Sequence, residues 1–89
     1  MEKLVIIPTY NEKENISNIL HAVFNMNEGF HVLVIDDGSP DGTAQIVKDL
    51  QQKFNGQLFL EERRGKLGLG TAYIHGFRWA IAVSYTHLG

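Results

Sequence analysis

The residue order predicts an α/β domain built on a parallel sheet, and two observations carry that prediction. Three short apolar runs, at Leu4-Val5-Ile6-Ile7, Val32-Leu33-Val34-Ile35 and Leu58-Phe59-Leu60, are each followed by a helical pattern. The first two runs are continuous rather than alternating, as in strands covered on both faces. A β-α-β-α-β-α order implies parallel strands, right-handed crossovers and helices packed on the sheet.

The first strand is expected to end at Pro8. In the segment after it, Asn11 with Glu14 three residues on resembles a capping box, with Asn in place of Ser or Thr. Ile16, Ile19, Leu20, Val23 and Phe24 then form one apolar helical stripe. Asn25 to Gly29 reads as the exit turn. The second strand stops at Asp36-Asp37-Gly38. Ser39 is an N-cap candidate for the next helix, Pro40 suits a first turn, and Asp41 would face the positive end of the dipole. Ala44, Val47, Leu50 and Phe54 give that helix its core stripe, with Ile46 beside it. Asn55-Gly56 turns the chain into the third strand. Glu61-Glu62-Arg63-Arg64 and the glycine-rich Gly65-Lys66-Leu67-Gly68-Leu69-Gly70 follow it. A third helix is expected from about Thr71 to Val83, with Tyr73, Phe77, Ala80 and Ile81 inward. Residues 1–83 read as one piece of one domain, and 84–89 as an unpatterned tail, either native or foreign.

Composition narrows the classes. The 89 residues are 44% hydrophobic and 20% charged, an ordinary globular balance. A net charge of −2 lacks the basic excess of a nucleic-acid binder. With no cysteine, neither a disulfide framework nor a zinc–thiolate site is available. No apolar run reaches the roughly 18–20 residues of a membrane span. The start, Met1-Glu2-Lys3-Leu4, lacks the pattern of a secretory signal, so the expected compartment is the cytoplasm. A sheet of so few strands would leave an unpaired edge and an uncovered apolar face, which predicts marginal stability.

Ligands of open α/β sheets bind outside the carboxyl ends of the strands. Three polar segments fall there: Pro8-Thr9-Tyr10-Asn11-Glu12, Asp36-Asp37-Gly38 and Arg63-Arg64-Gly65-Lys66. Acid, aromatic and base on one edge suit a charged, planar ligand such as a nucleotide. Tyr10 could contact a base, a carboxylate could accept from base or ribose, and a cation could meet phosphate. Helix N-termini behind the loops would add positive dipole ends. Common nucleotide motifs fit poorly. The dinucleotide fingerprint would place G-x-G-x-x-G after the first strand, where this chain has PTYNE. Gly70-Thr71 lacks the lysine of a P-loop.

The strings LVIIPTYNEKENI, VLVIDDGSPDGT and GKLGLGTAYIHGF resemble the N-terminal part of family 2 glycosyltransferases. The third string resembles most the dolichol-phosphate (polyprenol-phosphate) mannosyltransferase group. The resemblance runs from Leu4 to about Ala82. It implies the N-terminal portion of a GT-A (Rossmann-like, parallel-sheet) nucleotide-sugar domain. It further implies mannose transfer from GDP-mannose to a dolichyl or polyprenyl phosphate, with Mg2+ or Mn2+, peripherally at the cytosolic face of a membrane. By matching positions, Pro8, Tyr10, Glu12, Ile35 and Asp37 would line the GDP-mannose site. Lys66 would reach phosphate, and Asp36 would brace the loops. The family pattern continues into a further strand ending in Asp-x-Asp, which holds the metal. Here no Asp lies beyond Asp49, so the resemblance supplies neither catalytic nor metal-binding residues, and the chain alone is expected to be inactive.

Other readings stand beside this one. The chain could belong to a family 2 enzyme with another sugar nucleotide, such as UDP-glucose, or another acceptor. It could also be a non-catalytic nucleotide-binding module. Asp36-Asp37 could be turn acids alone, and the loop glycines could simply ease a strand-to-helix passage. Arg63 and Arg64 read as a solvated charge cluster paired with Glu61 and Glu62. His21, His31, His75 and His87 show no metal-ligand spacing.

Overall fold

A computed structural model describes residues 3–64 and 68–82 of the chain. The elements follow the expected order: β1 (Lys3–Thr9), α1 (Ile16–Phe24), β2 (Phe30–Asp36), α2 (Thr43–Lys53), β3 (Leu58–Glu62) and α3 (Leu69–Ala82). The strands form one parallel sheet in the order β1-β2-β3. β2 is central, and its residues Val32 to Asp36 are all buried.

Two apolar layers cover the sheet. On one face, Ile16 and Leu20 of α1 and Val47 of α2 pack on Val32, Val34 and Leu58. Phe24 and Phe54 close the far end of that layer, stacked at 4.2 Å between ring centroids. On the other face, Ala72 of α3 packs with Leu33 and Ile35, flanked by Leu4, Ile6, Phe59 and Trp79. The continuous apolar runs thus serve both faces at once, as their lack of alternation predicts.

Several local expectations are corrected. β1 runs through Pro8 to Thr9. The Thr9 carbonyl accepts from the Asp37 amide, so it points toward β2. Its neighbour Pro8 therefore points to the outer edge, where a missing N–H breaks no bond between β1 and β2. Asn11 and Glu14 form no capping box. Asn11 adopts a left-handed φ of 56°, and α1 begins only at Ile16, behind Asn15, whose side chain makes no cap bond. Ser39 is not the cap of α2 either; that helix starts at Thr43 behind Gly42, whose φ is 94°. Ile19 lies at the margin of its stripe, 38% exposed.

α3 differs most from expectation. Among its described residues the buried ones are small, Ala72, Gly76 and, as expected, Ala80, while Tyr73, Ile74 and Phe77 are exposed. A β-carbon on Gly76 would stand 2.8 Å from Cδ1 and 2.9 Å from Cγ2 of Ile6. The helix backbone lies so close to the sheet that aromatic side chains have no room beneath it. Trp79 packs from α3, with its ring 5.2 Å from that of Phe59. Ile81 and the tail 84–89 lie outside the described side chains and residues respectively.

Candidate functional site

The three strands finish level with one another. Thr9 pairs with Asp36, and Asp36 with Glu62, so the loops behind them leave from one rim. Tyr10 and Glu12 follow β1, Asp37 follows β2, and Arg63 follows β3.

Asp36 ties this rim together. It is buried, and its Oδ1 accepts from the Thr9 hydroxyl at 2.8 Å and the Ser39 hydroxyl at 2.6 Å. Its Oδ2 accepts from the Ser39 amide at 2.9 Å, and its carbonyl from the Arg63 amide at 2.8 Å. One residue thereby joins all three loops, and its carboxylate is used up in doing so.

The first loop is stitched to the second by its backbone. The amides of Asn11, Glu12 and Lys13 donate in turn to Ser39 Oγ, Thr43 Oγ1 and Asp41 Oδ2, at 2.9, 3.0 and 3.1 Å. The second loop thereby engages three successive amides of the first. Asp41 also accepts from the hydroxyl and amide of Thr43. The Thr43 hydroxyl, above all, holds the Asp41 carboxyl below the usual Asp range; burial opposes this, and the backbone amides of Lys13 and Thr43 reinforce it.

Asp37 is buried and paired with Arg63. Nε of the guanidinium donates to Oδ1 at 2.6 Å and Nη2 to Oδ2 at 2.9 Å, and both side chains are 8% exposed. This corrects the expected solvated cluster. Glu61 and Glu62 instead meet His75 and Lys48, each at 3.2 Å, and Arg64 is exposed. Arg63 was the residue whose role sequence reasoning missed. Its signal was position: it is the first residue past β3, one strand over from Asp37.

The other predicted positions are distributed as follows. Tyr10 is 37% exposed on the rim, and Glu12 and Pro8 are half-buried. The Ile35 side chain is fully buried in the layer under α3, so any ligand contact from it would fall to its backbone. Lys66 lies outside the described residues.

Among the described residues, no group of three or more His, Asp or Glu side chains is placed to hold a metal ion. The carboxylates are committed elsewhere, Asp36 and Asp41 to hydrogen bonds and Asp37 to Arg63. This set does not fit a divalent metal. No described helix is long and apolar enough to cross a membrane.

A parallel sheet covered on both faces, with polar loops gathered at its carboxyl rim, defines an open α/β domain. More particularly, the chain belongs to glycosyl transferase family 2, whose profile matches residues 4–82. It is 44% identical over 85 residues to the polyprenol monophosphomannose synthase of Mycolicibacterium smegmatis, covering 96% of this chain and 32% of that protein. It is 41% identical to the undecaprenyl-phosphate mannosyltransferase of Micrococcus luteus, covering 96% of this chain and 35% of that one. The chain thus spans about a third of the length of these relatives. Its structure resembles that of a mannosyltransferase from Pyrobaculum calidifontis in complex with GDP-Man and Mn2+. That likeness has a TM-score of 0.79 at 28% identity, over 89% of this chain and 24% of the other. The fold is the β-α-β-α-β-α portion of a GT-A domain.

Proposed function

We propose that the chain is the donor-nucleotide portion of a glycosyltransferase that moves mannose from GDP-mannose to a polyprenyl or dolichyl phosphate. The observation that carries this reading is the rim: Tyr10, Glu12 and Asp37 follow adjacent parallel strands whose ends are locked in register by Asp36. The names of the relatives support mannose as the sugar and a polyprenyl phosphate as the acceptor. The GDP-Man in the Pyrobaculum calidifontis structure supports the donor.

In this reading Tyr10 lies against the guanine, and the carboxylates of Glu12 and Asp37 accept from base or ribose. A phosphate oxygen of the acceptor attacks the anomeric carbon while the bond from that carbon to the diphosphate breaks. GDP departs with the bonding pair, and the configuration inverts. The acceptor is already anionic at neutral pH, so it needs no strong general base. The enzyme's work is chiefly to position two charged substrates and to stabilise the leaving diphosphate. Further parts of such an enzyme would supply the metal site and the acceptor site. Because the acceptor is a lipid, the reaction belongs at a membrane surface, on the cytosolic side where nucleotide sugars are available.

Competition for a fluorescent GDP probe bound to the chain tests the donor assignment. GDP is expected to displace the probe well ahead of UDP. Displacement by UDP at lower concentration than GDP would remove the mannosyl reading and favour a uridine-linked sugar.

A further inference from the structure

We propose that Arg63 is a positioning residue for the donor nucleobase, fixing the Asp37 carboxylate so that it selects bases that present ring N–H donors. The inference rests on the nucleotide reading above and deepens it.

The geometry is that of a clamp anchored on both sides. One edge of the guanidinium grips Asp37 through two bonds, Nε to Oδ1 at 2.6 Å and Nη2 to Oδ2 at 2.9 Å. The opposite side is held at the start of α3, where Nη1 donates to Thr71 Oγ1 at 3.2 Å and Nη2 lies 3.4 Å from the Gly68 carbonyl. The Thr71 hydroxyl is itself fixed by donating to that same carbonyl at 2.8 Å. Below, the Arg63 amide is bonded to the Asp36 carbonyl. The guanidinium is thus held from the β2 loop, the end of β3 and the first turn of α3.

Such an arrangement is a poor way to gain stability alone. Burying two charges forfeits hydration that their attraction roughly repays, and an apolar pair of similar volume often does as well. What a two-pronged guanidinium supplies, and a lysine does not, is a fixed plane and direction for its carboxylate. Asp37 also sits where direction matters, on the rim beside the β1 loop that carries Tyr10. A carboxylate has about four acceptor positions and no donor. Arg63 fills two of them, and those left are acceptors held in one orientation. Guanine offers ring N1–H with its N2 amine alongside, and uracil offers N3–H. Adenine turns a ring lone pair to the same place, which an acceptor-only group repels.

The test compares GDP with ADP in competition for the fluorescent GDP probe on the 89-residue chain, unaltered and as Arg63→Lys and Arg63→Ala. Far-UV circular dichroism checks folding. The unaltered chain is expected to prefer GDP by at least ~10-fold, as for one hydrogen bond to a charged acceptor. Arg63→Ala should bring the ratio close to one, and Arg63→Lys should restore part of it. A merely structural role would weaken both nucleotides alike and leave their ratio unchanged. A ratio undiminished in folded Arg63→Ala overturns the proposal; if that variant does not fold, a ratio undiminished in Arg63→Lys does so. Equal binding of GDP and ADP by the unaltered chain overturns it too, while nucleotide binding stands. No nucleotide binding at all removes the donor reading, and the role of Arg63 with it.

Discussion

Replacing Gly76 with alanine sets two well-sized effects against each other. In an exposed helix interior the change would stabilise by about 1 kcal/mol, because glycine loses more backbone entropy. Here the new methyl would sit 2.8 Å from Ile6 Cδ1, 2.9 Å from Ile6 Cγ2 and 3.2 Å from Ile35 Cδ1. Comfortable carbon–carbon contact is about 3.5–4.0 Å. Cδ1 can swing aside, but Cγ2 branches from the β-carbon and moves only with a χ1 change or a backbone shift. Overpacking of this kind costs about 1–3 kcal/mol. The clash therefore wins, and Gly76→Ala should lose about 1 kcal/mol net, or roughly 4–8 °C in Tm for a chain of this size. Urea unfolding followed by circular dichroism measures it. Ile6→Ala removes both offending carbons and provides the cross-check. Combined with Gly76→Ala, it should cost about 1 kcal/mol less than the sum of the single changes. A Gly76→Ala variant more stable than the parent, or strictly additive costs, would refute the close approach of α3 to the sheet.

Three further outcomes are expected. Asp36→Ala leaves the Thr9 hydroxyl and the Ser39 hydroxyl and amide without their acceptor. It should cost about 3 kcal/mol in urea unfolding, and a loss under about 1 kcal/mol would mean the rim does not depend on it. Asp41 has its pKa lowered by folding, so its contribution is present above its unfolded pKa and is lost as pH falls through the folded one. Asp41→Asn should accordingly flatten the fall of Tm with acid below about pH 4, where an ordinary Asp titrates; an unchanged acid limb would contradict it. Under the proposed function, Tyr10→Ala should weaken GDP about tenfold, by loss of stacking on the base, in competition for the fluorescent GDP probe; unchanged GDP affinity in the folded variant would remove Tyr10 from the site.

The sheet and its layers were legible because they rest on apolar pattern. The unbroken run Val32 to Ile35 suits a strand covered on both faces, and the structure covers it so. The rim loops were legible in position but not in bonding. Asn11 with Glu14 resembled a cap, yet the amides at 11–13 found acceptors in Ser39, Asp41 and Thr43, some 28–31 residues away. No local rule anticipates a cap supplied by another loop. The Arg63 pairing was hidden for the same reason. Glu61 and Glu62 are its chain neighbours, but alternation along β3 and the register with β2 bring Asp37 within reach. On α3 the pattern misled because aromatics are usually the buried residues of a helix. Gly76 carried the true signal, a residue with no side chain midway between Ala72 and Ala80 on the same face.

Pro8 has a bearing on what the outer edge of β1 can accept. Thr9 turns its polar groups toward β2, so Leu4, Ile6 and Pro8 turn theirs the other way. α3 lies on the reverse face of the sheet from α1 and α2. An incoming parallel strand would find amide and carbonyl at Leu4 and Ile6, then only a carbonyl at Pro8. Zippering would falter there, and the two backbones would diverge just before Tyr10 and Glu12. An imino acid at the end of a border strand is thus a wedge, one that holds a seam open at its mouth while the rest of it closes.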